Sequence, residues 1–347
     1  MEKEEAAKKP ATGKQEKILI VGAGGFMGSH FADAALREGM EVYAGVREST
    51  SRRYLTDPRL HFVTFDFDKP ETLAPALREA MPEGGWDHII YNLGATKCLN
   101  FADFNRINYS YLRSFIEALR ASGATPRRFL LMSSLSAMGP GDEKGYTPLT
   151  TSRPPMPNTR YGASKLKAEM EVQMSGMDYI IFRPTGIYGP RDKDYLLELK
   201  SLKKGFDFSA GLRRQMLTFI YGPDLADAAM AALRKAPAGK TYIIAEDRAY
   251  SQKEYRSLAA EALQCRHPLS IAVPLWGVRL VSAVAEKIGV ARNKPSTLNS
   301  DKYNIMKQRN WTADVTPARE DFGFTASTTL AEGLRESVEW YRREKWL

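Results

Sequence analysis

Lys17-Ile-Leu-Ile-Val21 runs directly into Gly22-Ala-Gly-Gly-Phe-Met-Gly28, and nothing else in the chain narrows its fold so far. A short, wholly apolar run suits a strand buried on both faces. Glycines at 22, 25 and 28 let the backbone approach a pyrophosphate closely, which then rests on free N–H groups at a helix start. Residues 26–38 carry helical spacing and stop at Gly39. Strand, glycine turn and helix in that order predict a dinucleotide site contacted by Gly22, Gly25, Phe26, Met27 and Gly28.

Further strands are expected at 41–46, 60–65, 87–91, 128–132 and 179–182, with a helix at 101–121 and a return to the sheet within 219–246. Strands alternating with helices at this spacing predict an α/β fold, a Rossmann-type doubly wound parallel sheet. Beyond Gly189 the alternation weakens. Residues 17–190 with 219–248 are expected to form the NAD(P)-binding domain, and 191–218 with 249–347 a smaller, mostly helical substrate lobe. Residues 1–16, rich in Lys, Glu and Ala, are expected to be a disordered tail. Residues 139–158, rich in Pro, Gly and Thr, are expected to form a mobile loop.

Tyr161-Gly-Ala-Ser-Lys165 supplies the chemistry. A phenol of pKa about 10 is a poor base at neutral pH. A lysine four residues later lies on the same helical face, and its charge favours the phenolate. Tyr303/Lys307 and Tyr341/Lys345 share this spacing, so context selects Tyr161. It alone lies between Phe129-Leu-Leu-Met-Ser-Ser134 and a following strand.

The end of the second strand bears on the cofactor. It reads Ala44-Gly-Val-Arg47, without the acid that usually holds the ribose hydroxyls of NAD. Arg47 can pair with a 2′-phosphate, so NADP is expected in preference to NAD; rotation of Glu48 into the site is the alternative.

With these motifs in family order, residues 17 to about 250 resemble the extended short-chain dehydrogenase/reductase family, also called the NAD-dependent epimerase/dehydratase family. The matches are Gly22-x-x-Gly-x-x-Gly28, Asp66, Asn92-Leu-Gly-Ala95, Asn108, Ser133-Ser134 to Gly139, Tyr161-x-x-x-Lys165, Arg183-Pro-Thr-Gly-Ile-Tyr-Gly-Pro190 and Phe219-Ile-Tyr-Gly-Pro-Asp224. The resemblance implies that Asp66 and Phe67 flank the adenine, that Leu93 and Gly94 line the dinucleotide, and that Pro184 and Ile187 meet the nicotinamide end. It further implies that Ser134 is the catalytic hydroxyl, with Ser133 and Ser136 as nearby competitors. Lys165 would also bind the nicotinamide ribose, and Asn108 would relay protons or hold a bulge. Thr96, Ser136, Arg191 and Arg213 are the candidate substrate contacts. Many relatives have His-x-Ala-Ala where this chain has Asn92-Leu-Gly-Ala95-Thr96-Lys97.

Other function classes fare worse. The net charge of +9 suits nucleic acid, but the basic pairs are dispersed and lack interleaved aromatics, so an anionic small molecule is the expected partner. Cys98 and Cys265 lie far apart, which points to a reducing, cytoplasmic setting. The four histidines show no metal-ligand spacing, so no metal is expected. The apolar stretch 271–290 is interrupted by Pro274, Arg279, Glu286 and Lys287, so no membrane span is expected. Its segment 275–288 is read as a helix packing on the lobe, with covering an apolar substrate as the alternative. The resemblance also suggests a homodimer through helices 101–121 and 161–175.

Leu135 and Ser136 replace the acid pair that a sugar-nucleotide dehydratase places after its catalytic hydroxyl, which disfavours elimination. The leading expectation is a dehydrogenase or reductase interconverting a secondary alcohol and a ketone, with Tyr161 moving the proton. A nucleotide-sugar epimerase is the second reading, and a non-catalytic dinucleotide-binding redox sensor the third.

Overall fold

The computed structural model describes residues 15–265, 268–294 and 296–347. Strand β1 (Lys17–Val21) explains the architecture by its alternation. Ile18 and Ile20 point into one apolar layer, with Phe31, Ala35, Leu225 and Ala229. Leu19 and Val21 point into the other, with Leu77, Phe115, Ala168 and Val172. A strand sandwiched this way needs helices on both faces.

After β1 come α1 (Phe26–Arg37), β2 (Glu41–Val46), β3 (His61–Thr64), α2 (Leu73–Ala80) and β4 (His88–Tyr91). Then follow α3 (Phe101–Asn105), α4 (Tyr111–Ser122), β5 (Arg128–Met132), α5 (Arg160–Gln173) and β6 (Tyr179–Pro184). The chain continues through β7 (Gly186–Tyr188), α6 (Asp194–Lys203), β8 (Phe206–Ala210), β9 (Met216–Leu217) and β10 (Phe219–Tyr221). Next are α7 (Gly222–Lys235), β11 (Lys240–Ile244), β12 (Tyr250–Ser251), α8 (Gln252–Leu263), β13 (Leu269–Val273) and α9 (Leu275–Ala291). It ends with α10 (Ser300–Met306), β14 (Asn310–Trp311), α11 (Thr316–Phe322) and α12 (Leu330–Arg343).

Seven strands form one sheet in the order β11-β6-β5-β4-β1-β2-β3. Each neighbouring pair is parallel. The fold is therefore the expected doubly wound Rossmann type. The carboxyl ends of β1, β4, β5 and β6 carry the candidate site residues, at the edge where open α/β sheets bind ligands.

Several details differ from the sequence reading. Only 240–244 of the 219–246 stretch joins the main sheet; β10 pairs with β7 in a separate ribbon, because Phe219 and Tyr221 belong to an aromatic cluster with Tyr188, Tyr250 and Tyr255. The expected helix 101–121 is interrupted by a π-helical turn at Arg106–Ser110, between α3 and α4. The C-terminal elements include short sheets, β13 with β8 and β12-β9-β14, beside the helices. The loop expected to be mobile is fastened: Asn310 donates from Nδ2 to the carbonyls of Asp142 and Thr147 at 2.9 and 2.8 Å, and Leu149 bridges to Ala313.

Residues 1–14 of the expected tail lie outside the described residues. Glu16, which that expectation included, is held in place. Its carboxylate meets His88 at 3.1 Å, Arg127 at 3.1 Å and Arg234 at 2.8 Å beneath the sheet. Burial would raise its pKa, but hydrogen bonds from Arg234 and His88 bring it below the usual carboxylate value.

Candidate active site

Gly22 takes φ +85°, a left-handed conformation that favours glycine, and an added Cβ would lie 3.1 Å from the Leu93 backbone nitrogen. At Gly28 a Cβ would stand 2.1 Å from the Gly22 carbonyl oxygen, so the loop folds back onto the first turn of α1. Gly25 is the N-cap of α1, and no side chain caps the helix. The N–H groups of the first turn are thus available to an anion, and no acid lies in that turn to repel one. Phe26 is half-buried at this mouth, whereas Met27 sends its side chain into the core. Such an elbow fits the pyrophosphate of a dinucleotide.

Around it the other cofactor candidates divide. Leu93 and Gly94 follow β4 at the surface of the cleft. Pro184 ends β6, and Ile187 packs against the first core layer. Asp66 is exposed and pairs with Lys69 at 3.3 Å. Phe67 is buried among Phe65, Tyr111 and Phe115, so its ring belongs to the core. Arg47 is exposed and has no ion pair among the described residues. Arg52 lies over the Phe62 ring at 4.1 Å, and Arg53 pairs with Glu344 at 2.6 Å.

Helix α5 carries Tyr161 and Lys165. Its N-cap Thr159 accepts the Gly162 N–H at 2.9 Å. Asp301, at the start of α10, accepts the Arg160 and Tyr161 N–H groups at 3.1 and 3.0 Å. Burial raises the Tyr161 pKa, and the Ser134 hydroxyl beside it works in the opposite direction. The two hydroxyls are not in full hydrogen-bond geometry; contacts of this kind often tighten only around substrate.

Lys165 is buried, and its Nζ donates to the Met132 carbonyl. Burial pushes its pKa down to about 8, against the pull of Glu169 one turn later. Glu169 is itself buried and bound by Arg183 Nε at 3.0 Å, and it accepts the Ser133 hydroxyl. Ser133 is therefore turned under the sheet edge, and Ser134 is the serine beside Tyr161. Ser136 donates its backbone N–H to Ser134 Oγ at 3.2 Å.

Asn108 sits in the π-helical turn, fully buried. Its Oδ1 accepts the Ala95 N–H at 2.7 Å, while Nδ2 donates to the Ala95 carbonyl at 3.0 Å and to Ser164 Oγ at 2.9 Å. A Cβ at Gly94 would lie 3.1 Å from Asn108 Oδ1 and 3.8 Å from Lys165 Nζ, which brings these three residues to one point. With every polar atom engaged, Asn108 has the arrangement of the bulge-holding residue.

The family model for the NAD dependent epimerase/dehydratase family matches residues 18–245. The chain belongs to this family. Over 338 residues it is 27% identical to a ceramide reductase of Caulobacter vibrioides, covering 97% of this chain and 98% of that one. It is 22% identical to a UDP-glucose 4-epimerase of Vibrio cholerae, covering 93% and 95%. Among solved structures, Thermus thermophilus UDP-glucose 4-epimerase with NAD superposes with TM-score 0.74 at 19% identity, covering 94% of this chain and 99% of that one. A UDP-glucuronic acid 4-epimerase of Bacillus cereus with NAD gives 0.73 at 17%, with the same coverage. Like its relatives, this family member is an enzyme.

Not every expected residue joins the group. Arg191 turns away to pair with Asp33 at 2.8 Å and to cover Tyr54 at 5.0 Å, where a cleft of about 440 Å³ opens beside α1. Arg213 is exposed on the loop before β9, and Thr96 is exposed after β4. Burial pushes the Cys98 thiol up to about 11, the behaviour of an unreactive cysteine. Among the described residues there is no cluster of three metal-ligating side chains, and no helix is long and apolar enough to cross a membrane.

Two contributors escaped the sequence reading. Glu169 was signalled, since it stands four residues after Lys165 on the same face. Asp301 was not, because 140 residues separate it from Tyr161.

Proposed function

We propose that this enzyme is a reductase that converts a ketone on an apolar substrate to a secondary alcohol, using NADP in preference to NAD. The observations that support the reading are that Ser134 lies beside Tyr161, that Lys165 one turn on and Asn108 converge at Gly94, and that the adjoining Leu93 backs the open glycine elbow. When bound, the nicotinamide supplies the two electrons and the hydrogen that reach the carbonyl carbon. Ser134 orients the carbonyl oxygen, and Tyr161 gives it a proton. Lys165, while charged, stabilises the phenolate left behind. Asn108 holds the Ala95 backbone against α5 and so keeps the cleft wall in register.

The apolar substrate is supported by the ceramide reductase similarity over nearly the whole chain. It is also supported by the pairing of Arg191 with Asp33, which takes one of the two cationic candidate substrate contacts, Arg191 and Arg213, away from an anionic substrate. NADP preference rests on Arg47, the cation still unpaired among the described residues at the end of β2. By family resemblance alone, the chain is also proposed to form a homodimer through helices 101–121 and 161–175.

The test is consumption of reduced cofactor with a panel of long-chain ketones. NADPH should give kcat/KM about tenfold above NADH, a difference of about 1.4 kcal/mol. Tyr161→Phe should lower kcat by about 10²–10⁴ with cofactor binding intact. Because burial lowers the Lys165 pKa to about 8, its charge is present below that pH and lost above it. The reductive kcat/KM should therefore fall as pH rises through about 8. Interconversion of UDP-sugars without net cofactor oxidation would overturn the reading in favour of an epimerase. Cofactor binding with no turnover of either substrate class would favour a sensor.

A further inference from the structure

Helix α9 presents its apolar residues to the outside. Its side against the protein is Val278, Ser282 and Gly289. On the opposite face Trp276, Leu280, Val284 and Ile288 recur every four residues and are 73, 59, 50 and 47% exposed. Val281 and Val290 widen this stripe. Exposed Leu212 stands near the start of the helix, where the neighbouring Gly211 packs on Leu275. The sequence reading had this segment packing on the lobe; its spacing was right for an amphipathic helix, but the apolar side faces away. A continuous apolar surface of this kind marks an interaction site.

The charges beside the stripe say what it meets. Arg279 and Lys287 are exposed on the helix, with Arg292 and Lys294 just beyond its end and Arg213 and Arg214 on the loop next to its start. The one acid of the helix, Glu286, turns inward to Arg160 at 2.9 Å and accepts the Ser300 N–H at 3.0 Å. The rim is thus cationic, which complements an anionic surface. From Trp276 to Ile288 the stripe runs about 18 Å, parallel to the helix axis and therefore suited to lying along an interface.

We propose that α9 seats on a lipid bilayer containing anionic lipids, with Trp276, Leu280, Val284 and Ile288 entering the acyl boundary and the basic side chains among the headgroups. Lys287, within the stripe, reaches the headgroups along its apolar stem. This association goes beyond the proposed reaction and does not depend on it. The two meet at Arg160, which Glu286 holds and which precedes Tyr161. A substrate dissolved in lipid would enter beside the first turn of the catalytic helix.

The full chain is floated with phosphatidylcholine vesicles and with vesicles of phosphatidylcholine and phosphatidylglycerol, without substrate or cofactor. It should rise with the anionic vesicles and lose most of that binding at high salt. Brominated acyl chains should quench its fluorescence, and Trp276→Phe should abolish that quenching. The double variant Leu280→Glu/Val284→Glu should bind at least about tenfold more weakly. Cofactor titration of both variants checks their folding, and the Trp276→Phe readout stands alone if the double variant does not fold. Wild-type protein that ignores both vesicles would overturn the proposal. So would equal binding by the double variant, or a wild-type dimer that this variant makes monomeric, since a second copy would then cover the stripe. Because no turnover is read, failure here leaves the reductase assignment standing, and the reverse also holds.

Discussion

Helices α1 and α5 begin in opposite ways. At α5 the first three N–H groups are all spent, two on the Asp301 carboxylate and one on Thr159. At α1 the N-cap is Gly25, no side chain covers the turn, and no acid lies within it. Both ends carry the partial positive charge of a helix start. The open end is left for a phosphorylated ligand, and the sealed end serves as a mount that fixes Tyr161. Filling the second end with a carboxylate also keeps stray anions away from the phenol.

Substitutions on each side would break or sharpen this contrast. Gly28→Ala should act most strongly, because its Cβ would stand 2.1 Å from the Gly22 carbonyl oxygen and the elbow must shift. A loss of about 1–3 kcal/mol in denaturant unfolding is expected, with cofactor affinity falling at least tenfold in a fluorescence titration. Asp301→Ala removes the partner of two helix-start donors. It should cost about 1–2 kcal/mol and lower kcat, while the Kd for cofactor stays close to wild type. A raised Kd with unchanged kcat would mean that the two helix starts are not independent. Gly25→Ala should do least: its Cβ meets nothing nearer than the Gly22 oxygen at 3.4 Å. Stability should remain within about 0.5 kcal/mol by thermal melting. A loss as large as that of Gly28→Ala would show that the α1 turn is already tightly filled.

What could be read from the sequence was local. The strand, elbow and first helix follow one another within 17–37, and Tyr161 and Lys165 are one turn apart, so spacing was enough to find them. Ser134 was reached only through the family resemblance, since the local pattern did not separate it from Ser133 and Ser136. The π-helical turn around Asn108 was not, since it depends on a fit between the Ala95 backbone and Ser164. Arg191 was assigned by position in a motif, and only the fold reveals that Asp33 takes it. For α9 the period of the apolar residues showed that a face exists; which way it points is a property of the packing around Val278, Ser282 and Gly289.

Glu16 has a practical consequence for anyone shortening this protein. An expressed fragment beginning at Lys17 would keep every residue of the sheet yet lose the one carboxylate that His88, Arg127 and Arg234 share. Arg234 would keep Glu38 at 2.7 Å and Arg127 the more distant Asp87 at 3.8 Å, but His88 would lose the Glu16 carboxylate and the three side chains the group that joins them. Trimming should stop short of residue 16, and a fusion partner belongs upstream of it.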